Sequence, residues 1–154
     1  GDMYKRGATV EQMLAWAETE VDRFAIYFYA DDLKFFRRSG RVTNLAATMG
    51  NLFSVHPVLN MGSDGMMHTH SKANGRVKTL KRIVSYVEEL QDDIKSHRVC
   101  IGHTDCLPIA ELLASLLREK FGDDLDIEIE VVNPTAGSHC GPDAVGVCFH
   151  AIHR

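Results

Sequence analysis

No stretch of the 154 residues approaches the ~20 consecutive apolar residues of a membrane-spanning helix, so no span or stable membrane anchor is expected. Neither sign of charge dominates. With 17 Lys and Arg against 21 Asp and Glu, the formal net charge is −4, which argues against a nucleic-acid surface. The four cysteines form no CxxC pair, and a chain this long folds without staples; reduced thiols in a cytoplasmic setting are the expectation. P-loop, GxGxxG and nucleophile-elbow patterns are all missing, which removes the enzyme classes that those motifs announce. Proline is scarce, and there is neither an internal repeat nor a low-complexity linker, so residues 1–154 read as a single domain. The first six residues lack an apolar signal core, so secretion is not expected. Lys5-Arg6-Gly7-Ala8 runs straight into a helix, as if the chain began inside a larger protein.

What is present is 45% apolar and 25% charged, the composition of an ordinary globular domain. Thr9-Val10-Glu11-Gln12 fits a capping box, and apolar residues at helical spacing extend that helix to about Arg23. Residues 25–30, aromatic and β-branched, predict a strand; Asp31 or Asp32 then caps a short helix that Gly40 ends. Residues 45–53 predict a second short helix rich in small side chains. Residues 55–61 and 66–70, joined by Gly62-Ser63-Asp64-Gly65, predict a hairpin, with Pro57 at an irregular or edge position. A long helix carries Val77, Leu80, Ile83, Val84, Val87, Leu90 and Ile94 in one stripe. A short buried strand at 99–101 precedes a helix capped by Thr104 or Asp105 and stopped by Gly122. Residues 127–131 alternate like a half-buried strand, 133–143 read as a loop, and 145–152 form the last strand. The expected class is α/β, a mixed sheet of about six strands with flanking helices.

Three loops could carry chemistry. In Ser39-Gly40-Arg41-Val42-Thr43, Gly40 frees the backbone, Arg41 offers a planar fork for a carboxylate or phosphate, and Thr43 can cap the next helix; on residue chemistry alone a surface Arg in a helix–helix turn is the favoured reading. In Gly137-Ser138-His139-Cys140-Gly141-Pro142, two glycines bracket a His, so amides and imidazole could meet an anion, or the segment could be a plain connector. Gly102-His103-Thr104-Asp105-Cys106 sits where α/β sheets often face ligands, although capping accounts for its polar residues. Zinc is a minor alternative: His103, Cys106 and His139 are the set a zinc hydrolase would use, but their spacing is not that of a chelating pair. Cys100 and Cys148 read as small buried apolar residues. Lys72, Arg76, Lys78, Lys81 and Arg82 form a basic cluster, either a solvated face or a dock for an acidic partner.

The order of these features resembles the DegV family of fatty-acid-binding proteins. Asp32-Leu33-Lys34-Phe35-Phe36-Arg37-Arg38-Ser39-Gly40-Arg41-Val42-Thr43 is similar to that family's "DLxxLxxGGRIS" segment. His56-Pro57-Val58-Leu59-Asn60 with Asp64-Gly65 resembles its "KPIL…DG" hairpin, and residues 137–146 resemble its "GTHTGPGALG" ending. Three ordered motifs spread over residues 9–152 cover the family's second domain only; its N-terminal domain, which supplies a Ser and a Thr to the ligand, is absent. Ser39 stands for the first Gly of GGR, and Asp143 for the last Gly of GPG. In the run similar to "KVRGRKKAL", Asn74 replaces the first Arg.

The resemblance implies a DegV-like second domain that binds a long-chain fatty acid, needs no cofactor or metal, and is a carrier rather than an enzyme. Arg41 and His139 would take the carboxylate, with Thr43, Gly40, Ser138 and Gly141 around it. Leu45, Met49, Leu52 and Phe53 would wall the tunnel. It further implies a fatty-acid kinase as partner, which makes the acyl-phosphate and docks near Arg76 and Lys78. With the N-terminal domain missing, self-association of the isolated domain is expected. A ligand-free regulatory module, supported by the basic cluster, is the other alternative.

Overall fold

A computed structural model describes residues 1–40 and 55–154. Its frame is one sheet of six strands: β1 (Phe24–Ala30), β2 (Val55–Met61), β3 (Met67–Asn74), β4 (Val99–Thr104), β5 (Ile127–Val131) and β6 (Ala144–His150), in the order β3-β2-β1-β6-β4-β5. Neighbours are antiparallel except β4 and β5, which run parallel and are joined by helix α5 (Leu107–Phe121). This is the expected mixed sheet, and the expected β-α-β crossovers are there: α4 (Arg76–Leu90) links β3 to β4, which run in the same direction, and α5 links β4 to β5. The remaining helices are α1 (Asp2–Lys5), α2 (Val10–Glu20), α3 (Lys34–Arg38) and α6 (Pro134–Cys140).

The two faces of the sheet differ. Ala25, Tyr27 and Tyr29 of β1, Val145, Val147 and Phe149 of β6, and Val99 and Ile101 of β4 point to one side and are buried. Over them lie Leu80, Ile83, Val84 and Val87 of α4 and Ala110, Leu113 and Leu117 of α5, spaced for one helical stripe each. This is the main core. On the other side a small cluster of Ala30, Leu33, Phe36, Leu59 and Ala144, joined by Phe28 and Cys140, lies under α3 and α6 at one end of the sheet. At the opposite end Trp16 of α2 meets Phe24 edge-on at 5.8 Å.

Local chemistry explains most boundaries. The Thr9 side chain accepts from the Gln12 N–H, and the Gln12 side chain accepts from the Thr9 N–H at 2.9 Å, the capping box read from sequence. The helix yields to a tighter turn at Val21–Arg23, and α2 buries none of its residues. Asp32 Oδ1 accepts from the Lys34 N–H at 2.7 Å, holding the first turn of α3 although Leu33 occupies the cap position. Gly40 ends α3 at φ +73°. The hairpin turn closes with Gly65 N–H donating to Gly62 O at 2.9 Å, and β3 runs on to Asn74, beyond the expected end. Pro57 pairs with Lys72 of β3 but falls past Val58, the last β2 residue paired to β1, beside an irregularity at Val58/Leu59.

Several expectations are corrected. Val77 is exposed and lies outside the buried stripe. Neither Thr104 nor Asp105 caps α5: Cys106 holds the cap position, and its N–H goes to His103 Nδ1 at 3.2 Å. The expected loop 133–143 contains helix α6. Asn133 caps it by accepting from the Ala136 N–H at 3.0 Å, and Pro134 opens its first turn. The predicted helix at residues 45–53 lies outside the described residues.

Candidate functional site

Strands β4 and β6 present their smallest side chains to the second face, in register. Cys100 faces Cys148, Gly102 faces Gly146, and Thr104 faces Ala144. Large residues flank this strip: Ile26 and Phe28 of β1 on one side, Glu130 and Val132 on the other. The result is an apolar groove of about 320 Å³ whose floor is the three facing pairs. That volume lies at the lower end for small-molecule sites. Four residue steps along β4 give a floor about 13 Å long. Cys100 is exposed and Cys148 half-buried, which corrects the expectation that both are buried core residues. Burial pushes both thiols up, Cys148 to about 11 with help from Cys100 beside it, so both stay protonated near neutrality and the floor is uncharged.

At one end the groove meets α6. Cys140, the last residue of that helix, lines the groove. The buried Thr104 hydroxyl donates to Gly141 O at 2.6 Å and accepts from the Ala144 N–H at 2.9 Å, while Thr104 O takes the Asp143 N–H at 2.9 Å. Thr104 thereby ties the end of α6 to β4 and to the start of β6. Gly141, at φ +74°, is where Phe35 of α3 packs: an added Cβ would lie 2.2 Å from its ring. His139 is half-buried, and its Nδ1 is buried with no hydrogen-bond partner among the described residues.

The residues expected at the ligand's polar end are thus placed unevenly. His139 and Gly141 flank Cys140 in the chain, but Cys140 lines the groove and they do not. Ser138 is exposed, and its hydroxyl donates to Thr135 O at 2.7 Å. Gly40 ends α3, and a Cβ added there would meet none of the described residues within 4 Å. Arg41, Thr43, Leu45, Met49, Leu52 and Phe53 lie outside the described residues. Gly102 and Thr104, in the loop singled out at the sheet edge, do line the groove; Cys100, Cys148, Gly146 and Ala144 are not among the expected site residues, although bulky and small residues alternate in Val99 to Thr104 and again in Ala144 to Phe149, which marks a two-faced strand.

Arg76 and Lys78 behave differently from each other. The Arg76 guanidinium holds Asp31 at the end of β1, with Nε 3.1 Å from Oδ2, and reaches Asp143 at 3.3 Å. His56 Nδ1 stands 3.4 Å from the same Asp31, close enough for attraction but without an aligned hydrogen bond. Nearby, the Tyr29 hydroxyl is buried and unpartnered; burial and the Asp31 carboxylate push the phenol well above its ordinary range. Lys78 instead joins Lys72, Lys81 and Arg82 around an open, basic hollow. Among the described residues no three His, Cys, Asp or Glu side chains gather as a metal site. Of the zinc alternative, His103 is occupied by the Cys106 amide, and Cys106 donates to Ala144 O at 3.2 Å.

Fold and groove together define an α/β domain with its main core under α4 and α5 on one face and an apolar groove on the other. The family model described as "Uncharacterised protein, DegV family" matches residues 1–151, and the chain belongs to that family. A DegV domain-containing protein of Clostridium perfringens is 33% identical over 147 residues, which cover 96% of this chain and 50% of the relative. The Streptococcus pneumoniae Fatty Acid Kinase (Fak) B3 protein, solved loaded with linoleic acid, superposes at TM-score 0.84 and 15% identity, over 97% of this chain and 52% of that one. The fatty acid binding DegV family protein of Streptococcus agalactiae superposes at 0.77 and 24% identity, over 97% and 52%. The chain spans about half the length of the curated relatives it matches.

Proposed function

We propose that this chain is the C-terminal domain of a two-domain DegV protein and that its groove holds the hydrocarbon tail of a long-chain fatty acid. The groove itself carries the reading: it is apolar, floored by register-matched small side chains, and ends beside the helix that bears His139. Each enclosed methylene contributes about 0.8 kcal/mol, so a tail of about ten methylenes gains about 8 kcal/mol if fully covered. The solved neighbours described with bound linoleic acid or as fatty acid binding support the same ligand class.

The carboxylate goes to His139, whose Nδ1 lacks a partner among the described residues, with Arg41 as a second donor. Thr43, Gly40, Ser138 and Gly141 surround it, and Leu45, Met49, Leu52 and Phe53 complete the tunnel wall. Nothing in this chemistry requires a cofactor: the domain is a carrier. It hands its fatty acid to a kinase that makes the acyl-phosphate, and the basic hollow at Lys72, Lys78, Lys81 and Arg82 suits an acidic partner surface. Arg76 contributes less to docking, because Asp31 and Asp143 already answer its charge. A companion N-terminal domain covers the apolar residues of α2 that stand exposed, Val10, Leu14 and Trp16. Without it the domain self-associates. The carrier works in the cytoplasm, consistent with the absence of any membrane-spanning helix among the described residues.

Organic extracts of the natively purified full-length protein, analysed by mass spectrometry, test the reading. A long-chain fatty acid at near-equimolar amount is expected. Folded protein that carries none, and that takes up none from added oleate, refutes it.

A further inference from the structure

Three of the four cysteines line the groove, and two of them face each other across its floor. Cys100 and Cys148 are register partners in the antiparallel β4–β6 pair, and both side chains project to the groove side. Residues directly opposite in such a pair have Cα atoms about 4.5 or 5.5 Å apart, and both separations fall within the disulfide range of about 4.4–6.8 Å. The strands need no shift to be bridged. Cys140 sits at the far end, by Thr104 and Ala144, about 13 Å along the floor and out of reach. Cys106 is buried in the main core with its thiol on Ala144 O.

We propose that Cys100 and Cys148 are a redox pair in the groove floor: a hydroperoxide converts the facing thiols into a cross-strand disulfide, and an acyl chain lying over them blocks the conversion. The shielding half rests on the fatty-acid reading above; the disulfide half does not. Cys100, the exposed partner, reacts first. Its thiolate attacks the terminal peroxide oxygen, the O–O bond breaks, and the alcohol or water leaves with a proton, giving a sulfenic acid. The Cys148 sulfur then attacks the Cys100 sulfur, the S–O bond breaks, and water leaves. Two thiols lose two electrons and two protons, and the hydroperoxide gains them. Because burial holds both thiols protonated, the reaction quickens as the pH rises above neutral. An empty groove is oxidised; a filled one is not.

The test uses the C106S/C140S protein, reduced, freed of reductant and treated with hydrogen peroxide. Loss of both alkylatable thiols, with a non-reduced tryptic map joining the peptide that begins at Val99 to the one containing Cys148, is the expected result. The same treatment of a protein also carrying C148S leaves Cys100 unbridged. Thiols that stay alkylatable, or that pass to sulfinic acid without a bridge, overturn the pair. Oleate at about ten times its Kd slows bridging about tenfold. Equal rates while dialysis shows oleate bound overturn the shielding. Equal rates with no oleate retained overturn the fatty-acid reading and leave the disulfide standing.

Discussion

Gly102 and Gly146 face each other in the middle of the groove floor, and the structure separates why each is glycine. A Cβ on Gly146 would lie 2.4 Å from Phe28 Cβ and 3.1 Å from Tyr27 O, both fixed in the β1 ladder. Overpacking there costs about 1–3 kcal/mol, so Gly146→Ala is expected at the upper end of that range. A Cβ on Gly102 would meet only Val132 Cγ2, at 3.1 Å, a side-chain methyl that can rotate. Replacing a strand glycine also recovers about 0.5–1 kcal/mol of backbone entropy, so Gly102→Ala should leave stability almost unchanged. The added carbon and the displaced Val132 both take groove space. Excluding one methylene costs about 0.8 kcal/mol, about fourfold in affinity; Gly102→Val excludes about three, close to 2.4 kcal/mol or about fiftyfold. Competition of oleate against a fluorescent fatty acid in the full-length protein reads the affinity, and urea melts read the stability. A folded Gly102→Val protein that binds oleate as tightly as the parent refutes the placement of the acyl chain on this floor.

His139→Ala removes a ring whose Nδ1 bonds to none of the described residues, so urea melts should barely change, while oleate affinity falls by about 2 kcal/mol, some thirtyfold, as one charge-assisted hydrogen bond is lost. Arg76→Ala leaves Asp31 and Asp143 unanswered; with Arg76 nearly half exposed, the loss in urea melts should be only about 0.5–1 kcal/mol and should shrink at high salt. Glu20 is held below the ordinary 4.5 of a glutamate by its hydrogen bond with His150, so its stabilising contribution is whole above that pH and fades as the pH falls through the lowered value. The stability gap between the parent and Glu20→Gln should therefore narrow below pH 4.5 in melts run from neutral to acid. Thr104→Val keeps the shape but strips the hydroxyl from Gly141 O and the Ala144 N–H, costing about 2–4 kcal/mol for two buried groups; Thr104→Ser should restore most of it in the same thermal melts.

The elements legible in the sequence are those fixed by neighbours in the chain. Thr9 and Gln12 are three residues apart and cap each other; Gly62 and Gly65 close their own turn; the stripes of α4 and α5 repeat at helical spacing. What was misread depends on partners far along the chain. Thr104 has the residue type of a cap, but its hydroxyl is claimed by Gly141 and Ala144, 37 and 40 residues on. Cys100 has the residue type of a core position, yet Val99 and Ile101 take the core side of the strand and period-two alternation sends Cys100 to the other. Helix α6 was readable: Asn133-Pro134 is a cap followed by a first-turn proline, and the glycines after it obscured the signal. His139 is marked locally by the glycines at 137 and 141, but its role at a carboxylate comes from the family resemblance, since nothing local tells a ligand-facing imidazole from one in a plain connector.

The same alternation separates holding the fold together from making the site. Valine, isoleucine and phenylalanine on the odd positions of β4 and β6 pack under α4 and α5, and that face alone holds the larger core. The even positions are then released from packing, and they carry cysteine, glycine, threonine and alanine where larger side chains would have closed the sheet against α3 and α6. Glycine in a strand interior weakens it, and two in register weaken the same rung twice. Gly146 is accounted for by Phe28, which rests against it. Among the described residues Gly102 meets only the Val132 methyl, so backbone packing there does not account for its cost, and groove space above the floor does. The larger core of this sheet therefore stands on one face, while the other keeps only a small cluster and the Thr104 ties at one end, which leaves the small residues between them to define what the groove can hold.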